Sequence, residues 1–151
     1  TRAMEMDMNR LIRPEDKDAW LTLWESYQRF YKVEIPRDVS EKTFARLLDP
    51  AEPMFGVLAF EDDKPLGLVH YIFHRSTWTV GDYCYLQDLF VAEGMRGRSL
   101  GRKLIDFVYS EAAKAGASRV YWLTHETNRA AMKLYDQVAD RTGFLQYSKS
   151  F

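Results

Sequence analysis

The sequence predicts a single mixed α/β domain. Three apolar runs in the middle of the chain, at 55–61, 66–73 and 83–91, are separated by short turns, which favours an antiparallel meander. Helical periodicity dominates on both sides of that meander, and a β-rich run at 119–123 lies between two helical stretches. A strand, a helix and another strand in succession indicate a crossover, so we expect 119–123 to run parallel to the strand that ends at Val91.

Length and composition support one domain over residues 1–151 and exclude several classes of protein. Residues 1–7 have no apolar signal core, and we expect a frayed end or an expression remnant there. The formal net charge of −1 argues against nucleic acid or an anionic membrane surface as a partner. No apolar run approaches the ~20 residues of a membrane span. The single cysteine, Cys84, fits a buried position in a cytoplasmic protein.

The N-terminal third is predicted to hold a strand and two helices. The run at 8–13 ends at Pro14, which opens a helix with two acidic residues behind it. That helix has an aromatic face richer in Trp and Tyr than a core needs, so we expect part of the face to line a binding cleft. A second helix is expected to be capped by Asp38 or Ser40 and to stop before Pro50.

The C-terminal third is predicted to hold two helices and two strands. A helix over 99–114 ends with Gly116 as its C-cap and precedes the strand at 119–123. A further helix is expected to start at Asn128 and to end at Gly143. Residues 144–147 are predicted to form a last strand.

The segment at 85–104 joins a strand to a helix through a loop of glycines and arginines. The first N–H groups of a helix have no partner and its dipole favours an anion, so such a junction is suited to phosphate. Three arginines add positive charge beside it: Arg96, Arg98 and Arg102. The alternative is a basic surface turn with no ligand.

Three motifs in order resemble the GNAT superfamily of acetyl-CoA-dependent N-acetyltransferases. They are the run at 85–91, the Arg-Gly-Arg-Ser-Leu-Gly loop at 96–101, and the helix from Asn128 to Tyr135 followed by Gly143-Phe144. Residues 76–91 are most similar to the diamine and polyamine acetyltransferases, and residues 120–135 resemble the histone and D-amino-acid acetyltransferases. The resemblance implies the GNAT fold, a mostly antiparallel twisted sheet splayed between two strands and flanked by helices.

The resemblance also implies acetyl-CoA as co-substrate and no metal. Strand backbone would pair with the pantetheine arm, loop amides would hold the pyrophosphate, and the next helix would contact the cofactor. The implied cofactor-binding residues are Leu89, Phe90, Val91, Arg96, Gly97, Arg98, Ser99, Leu100, Gly101, Arg102, Asn128 and Ala131. Tyr135 matches the tyrosine near the thioester sulfur and would protonate the departing thiolate. The substrate-binding residues that we expect are Tyr27, Tyr31, Gln87 and Asp88.

The chain departs from the GNAT pattern at three points. Ser99 stands where the loop usually has a glycine, and the longer spacing before Gly143 predicts a last helix extended by about a turn. Gln87 stands where polyamine acetyltransferases carry Glu and cannot serve as a base. A lysine-like amine of pKa ~10.4 is only about one part in a few thousand neutral at pH 7, so a base would help. Asp88 on the opposite strand face, His125, and solvent are the alternatives.

The expected function is that of an enzyme, an N-acetyltransferase that moves acetyl to a primary amine of a small molecule by direct attack in a ternary complex. Polyamines and amino acids are the candidate substrates, and the missing glutamate slightly favours an α-amino group. A lysine acetyltransferase of protein tails and a non-catalytic acetyl-CoA-binding module are the alternatives. Acidic residues around the cleft at Glu25, Glu34 and Asp38 would favour a polycation. The resemblance also implies a homodimer. His70 and His74 share a strand face without a third ligand, so no metal site is predicted.

Overall fold

The computed structural model describes residues 7–94 and 99–151, and a five-stranded sheet lies at its centre. The strands follow one another in sequence order across the sheet: β1 (Asp7–Leu11), β2 (Met54–Glu61), β3 (Lys64–His74), β4 (Tyr83–Val91) and β5 (Arg119–Tyr121). The first four pair antiparallel, and β5 pairs parallel to β4. The predicted meander and crossover are therefore confirmed.

Helices cover both faces of this sheet. A 3₁₀ turn at Pro14–Asp16 leads into α1 (Lys17–Phe30), which is followed by α2 (Arg37–Leu48), α3 (Leu100–Lys114) and α4 (Arg129–Val138). Neighbouring strand residues point to opposite faces. In β2, Leu58 packs with the core residues of α1 and α2, whereas Val57 and Ala59 pack with those of α3. Two apolar cores on one sheet confirm the mixed α/β fold class.

Cys84 lies in the core on the α3 side and is fully buried. Burial raises the pKa of its thiol to about 12, because an apolar surrounding disfavours the thiolate. Cys84 therefore stays protonated at neutral pH and packs as a small apolar side chain, as predicted.

The start of α2 differs from the prediction. The helix begins at Arg37 directly after Pro36, whose carbonyl accepts the N–H groups of Val39 and Ser40. Asp38 and Ser40 therefore lie inside the helix and neither caps it. The hydroxyl of Ser40 is buried and accepts a hydrogen bond of 3.2 Å from the indole N–H of Trp24. Tertiary contact between the helices, which a local pattern cannot register, determines the role of this serine.

Both predictions for the C-terminal end of the chain are wrong. Helix α4 ends at Val138 and not at Gly143, because Ala139 already has an extended backbone. Residues 139–151 form neither helix nor strand, although a strand was expected at 144–147. A strand needs a neighbour for its N–H and C=O groups, and no strand of the described residues lies beside this segment.

At the N-terminus, Asp7 is the first residue of β1 and so is not part of a frayed end. Residues 1–6 lie outside the described part of the chain. Among the helices at 7–94 and 99–151, none is long and apolar enough to cross a membrane.

Candidate functional site

A β-bulge in the middle of β4 organises the site. His70 pairs with Asp88 and Tyr71 with Leu86, so Gln87 is an extra residue on β4. Beyond the bulge β4 continues to Val91, but β5 pairs with it only from Tyr83 to Tyr85. The strands thus stop pairing before the bulge, and the β5 side of β4 is left open where Leu89 and its neighbours lie. This is the splay that the sequence resemblance implied.

A cavity of about 420 Å³ lies beside this open edge. The end of α1, the bulge in β4, the segment after β5 and the helix α4 form its walls. Six residues with predicted roles line it together: Tyr27, Tyr31, Gln87, Leu89, Asn128 and Tyr135. The structure therefore brings the expected substrate and catalytic residues to one space, although they come from four elements far apart in sequence.

Tyr135 projects from α4 into this cavity and is half-buried. Its ring meets that of Trp122 edge to face, with 5.4 Å between centroids. Burial, and secondarily the nearby Tyr31, raise the pKa of Tyr135 to about 12. The phenol therefore keeps its proton throughout the neutral range and can donate a hydrogen bond to an atom that becomes negative.

The other walls of the cavity are polar at the turn before α4. Asn128 precedes the helix, and its amide donates to the hydroxyl of Thr124 at 3.3 Å. His125 lines the cavity, and its Nδ1 is 2.7 Å from the hydroxyl of Thr127. Ala131 lies on the first turn of α4 and is half-buried. The position of His125 keeps it open as one candidate base.

The predicted cofactor residues lie partly on this edge and partly outside the described chain. Phe90 is 6% exposed and packs against the core on the α1 side, so only its backbone is available on the cavity side. Gly101 in the first turn of α3 lies against the end of β4, since a Cβ built on it would be 3.9 Å from Val91. The guanidinium of Arg102 reaches Gln137 of α4 at 3.4 Å. Arg96, Gly97 and Arg98 lie outside the described residues.

Asp88 does not line the cavity but contacts it through Tyr27. The Tyr27 hydroxyl donates to Asp88 Oδ1 at 2.7 Å, and Nδ1 of His70 is 3.0 Å from Oδ2. The indole N–H of Trp20 donates to Nε2 of the same histidine at 2.9 Å. The sequence prediction missed His70 and Trp20 as part of the site, because no local pattern links residues that are 18 to 61 positions apart.

Comparison with known proteins identifies the family. Residues 20–139 match the model of the Acetyltransferase (GNAT) family. The chain belongs to the GNAT family. It is 41% identical to the D-amino-acid N-acetyltransferase HPA3 of Saccharomyces cerevisiae, over 93% of this chain and 89% of that protein. The predicted GNAT membership is confirmed, and the GNAT chain is an acetyltransferase.

Other relatives match the GNAT chain over less of their length or through the fold alone. A thialysine N-ε-acetyltransferase of Caenorhabditis elegans is 32% identical over 55% of this chain and 51% of that protein. The solved structure of AAC(6′)-Iy with the bisubstrate analog CoA-S-monomethyl-acetylneamine superposes with a TM-score of 0.84. That structure covers 96% of this chain and 98% of its own at 15% identity, so it shows a shared fold.

Two further sequence hypotheses bear on the charge around the site. Glu25, Glu34 and Asp38 were candidates for an acidic ring, but none of the three lines the cavity in the described structure. Within residues 7–94 and 99–151, no group of three or more His, Cys, Asp or Glu side chains is placed to hold a metal ion. The cavity of the GNAT chain is lined by aromatic side chains, three leucines, and polar side chains that include His125.

Ser99 has a left-handed backbone, with φ of 65°, directly before the first turn of α3. This conformation suits glycine and costs a side-chain-bearing residue about 1 kcal/mol. It gives a physical reason for the glycine that GNAT loops usually have here. The side chain of Ser99 makes no capping hydrogen bond to the helix, so nothing in the cap compensates the cost.

Ser99→Gly should therefore stabilise the GNAT chain by a few tenths to about 1 kcal/mol, since the added freedom of the unfolded chain offsets part of the gain. Urea unfolding followed by circular dichroism measures the change. Ser99→Ala is the matched control, because it removes the hydroxyl but keeps a Cβ in the left-handed conformation. A glycine variant no more stable than the alanine variant would contradict the assignment of strain to this position.

Proposed function

We propose that the GNAT chain transfers acetyl from acetyl-CoA to a primary amine of a small molecule, by direct attack in a ternary complex. The cavity carries this proposal, because it brings Tyr135 into one space with Tyr27, Tyr31 and Gln87 beside the open edge of β4. The relatives support a small amine as substrate. Their names assign them D-amino acids, thialysine and L-ornithine.

The residues around the open edge fit acetyl-CoA in two respects. The β4 backbone from Leu89 to Val91 has no β5 partner, so its polar groups are available to a ligand that pairs like a strand. The N–H groups of Ser99, Leu100, Gly101 and Arg102 begin α3 and suit a phosphate. We assign Asn128 and Ala131 to contacts from α4. When bound, the thioester would supply the activated acetyl carbon.

Within this proposal Tyr135 is the catalytic residue that faces the sulfur. Its raised pKa keeps the phenol protonated, so it donates a hydrogen bond to the sulfur as negative charge develops there. Tyr27, Tyr31 and Gln87 hold the amine, since aromatic faces attract an ammonium group and the amide supplies both a donor and an acceptor. None of these three side chains carries a charge.

An α-amino group of an amino acid is the substrate that we propose first. Gln87 provides no carboxylate to deprotonate an amine, and an α-amino group needs less help because its pKa is lower than that of a lysine side chain. The 41% identity to a D-amino-acid N-acetyltransferase supports the same choice.

A thiol-release assay over a panel of amines tests the proposal. The panel contains D- and L-amino acids, thialysine, polyamines and a histone-tail peptide, and we expect turnover on small amines with amino acids foremost. Turnover on the peptide alone would favour the protein-tail alternative. No turnover on any amine, with acetyl-CoA bound tightly in calorimetry, would establish the binding-module alternative.

We further propose that the chain forms a homodimer in the cytoplasm, and its C-terminal segment supports the dimer. In an extended segment Leu145, Tyr147 and Phe151 would share one face, on which Lys149 also lies. All three side chains are at least 82% exposed. The outer edge of β5 has no strand beside it among the described residues. Adding this segment of one copy to β5 of a second copy would cover both surfaces.

Leu145→Ser/Tyr147→Ser should convert the dimer into a monomer, because it removes the apolar face of the segment. Light scattering after size exclusion measures the mass, and the wild type should have twice the mass of one chain. Gln146→Ala/Ser148→Ala is the matched control on the opposite side of the segment and should stay dimeric. A wild type that is monomeric at every concentration would contradict the proposal.

A further inference from the structure

A chain of hydrogen bonds leads from the cavity wall into the core between α1 and the sheet. Tyr27 lines the cavity and donates its hydroxyl proton to Asp88 Oδ1 at 2.7 Å. Asp88 Oδ2 is 3.0 Å from Nδ1 of His70, and Nε2 of His70 is 2.9 Å from the indole nitrogen of Trp20. Trp20 and His70 are 0% and 4% exposed, so the inner end of this chain is dry.

The direction of both hydrogen bonds of His70 follows from Trp20. An indole N–H can only donate, so Nε2 of His70 accepts and carries no hydrogen. The hydrogen of the ring therefore lies on Nδ1 and points at Asp88. Asp88 thus accepts one hydrogen bond on each oxygen, from His70 and from Tyr27. His70 therefore holds the Asp88 carboxylate from the core side, and Tyr27 in the cavity wall is its other partner.

The bulge at Gln87 is what places Asp88 in this position. Leu86 packs with the core on the α3 side, and strict alternation would put Asp88 on that face too. Because Gln87 is an extra residue, Asp88 instead lies opposite His70 in the pairing with β3 and faces α1. The bulge therefore leaves Gln87 in the cavity and directs the carboxylate of Asp88 toward the hydroxyl of Tyr27.

We propose that Tyr27 and Asp88 together take the proton that the substrate ammonium must lose, which gives the site the base that Gln87 cannot supply. This inference rests on the proposed N-acetyltransferase function. The ammonium N–H gives its proton to the Tyr27 oxygen while the Tyr27 hydroxyl proton moves to Asp88 Oδ1. Tyr27 stays neutral throughout, and Asp88 becomes a carboxylic acid.

The remaining bonds and protons balance as follows. The neutral amine nitrogen forms the C–N bond, the C–S bond breaks, and the electron pair of that bond leaves with the sulfur. The nitrogen loses its second proton to water, and the sulfur takes one proton from Tyr135, which regains one from water. Asp88 returns its proton through Tyr27 to solvent. His70 positions the carboxylate and exchanges no proton in this sequence.

The surroundings of Asp88 suit a proton transfer through a neutral phenol. The groups that face it are His70 from β3, Tyr27 from α1 with Tyr31 beyond it at the end of that helix, and Tyr85 from β4. Burial and the Asp88 charge raise the pKa of Tyr27 and of Tyr85, so both phenols keep their protons over the range of an assay. Tyr27 can therefore pass a proton on but does not ionise by itself.

The pH dependence of kcat/KM on the best amine of the panel tests this inference. Asp88→Asn and Tyr27→Phe should each lower kcat/KM about tenfold at pH 7, and the loss should shrink toward pH 10, where the amine reaches the site already neutral. The double variant should be no worse than either single variant, because both interrupt one path. Glu25→Gln on the exposed side of α1 is the matched control and should keep the wild-type profile.

Contrary outcomes separate this inference from the proposed function. Wild-type turnover on a small amine supports the proposed function whatever the variants do. A rise in KM with an unchanged kcat and pH profile in both variants would make Tyr27 and Asp88 only a binding pair. A lost pH response in His125→Gln, with Asp88→Asn unaffected, would assign the base to His125. If Asp88→Asn does not fold, Tyr27→Phe alone interrupts the same transfer and decides.

Discussion

Tyr135→Phe is expected to lower kcat about 10²-fold, which is the lower end of what a positioned acid contributes. The change removes one oxygen from a side chain that lines the cavity and keeps the ring that packs on Trp122. In the proposed reaction the phenol of Tyr135, whose pKa is raised to about 12, donates to the sulfur only as the C–S bond breaks. The loss should therefore fall on kcat and not on the Kd for acetyl-CoA, which we expect to stay within about twofold.

Steady-state thiol release and calorimetry with acetyl-CoA measure the two quantities on the same preparation. Tyr109→Phe is the matched control, because it also removes a half-buried phenolic oxygen, one that donates to the carbonyl of Val138 at 2.8 Å, but lies outside the cavity lining. That control should cost stability and leave kcat near the wild-type value. An unchanged kcat in Tyr135→Phe would remove Tyr135 from the mechanism.

Leu104→Ala is expected to lower the free energy of unfolding by about 2–5 kcal/mol, the range for a buried leucine that leaves a cavity. Leu104 is 0% exposed in the second turn of α3. It lies directly on the backbone of β3, since a Cβ built on Gly67 would be 3.2 Å from Leu104 Cδ1. Little can move into the space, because the sheet backbone forms its floor.

Urea unfolding measures this effect, and Lys103→Ala is its control, since Lys103 is the exposed neighbour on the same helix. The control should change the free energy of unfolding by no more than about 0.5 kcal/mol. A loss below about 1 kcal/mol in Leu104→Ala would mean that α3 does not rest on the sheet as described.

The elements that depend on local pattern were predictable from the sequence. Helix α3 has apolar residues at helical spacing, and all four of its buried residues fall on that stripe. The β2–β3 hairpin was evident from two apolar runs around a turn at Asp62 and Asp63, and both aspartates have the positive φ that such turns require. The residues that determine these elements lie within the elements themselves or a few positions away.

The elements that depend on distant partners were not predictable. Residues 144–147 have the pattern of a strand, but pairing needs an edge, and no edge in the described chain adjoins them. The cap predicted at Ser40 failed for a related reason, because its hydroxyl serves Trp24 of another helix. A local sequence pattern indicates which structures a segment can form, and its tertiary partners determine which of them it forms.

The candidate site divides in the same way. The GNAT motifs identified the cavity residues Gln87 and Tyr135, and the aromatic face of the first helix identified Tyr27. Alternation predicted a different face for Asp88 than for Gln87, but strict alternation would put Asp88 on the α3 side, and only the bulge brings it to Tyr27 and His70 on the α1 side. That contact depends on the register between β3 and β4, which the chain sets only when it folds.

The bulge at Gln87 also constrains how β4 can change in length. Before it, the even-numbered Cys84 and Leu86 pack on the α3 side, and after it the even-numbered Phe90 packs on the α1 side. The alternation of side chains between the two faces of β4 thus shifts by one residue at Gln87. A single-residue deletion elsewhere between Cys84 and Phe90 would exchange the faces of the residues between it and the bulge. Deleting Gln87 itself leaves the residues on either side of it on their present faces, so we expect β4 to tolerate a deletion at position 87.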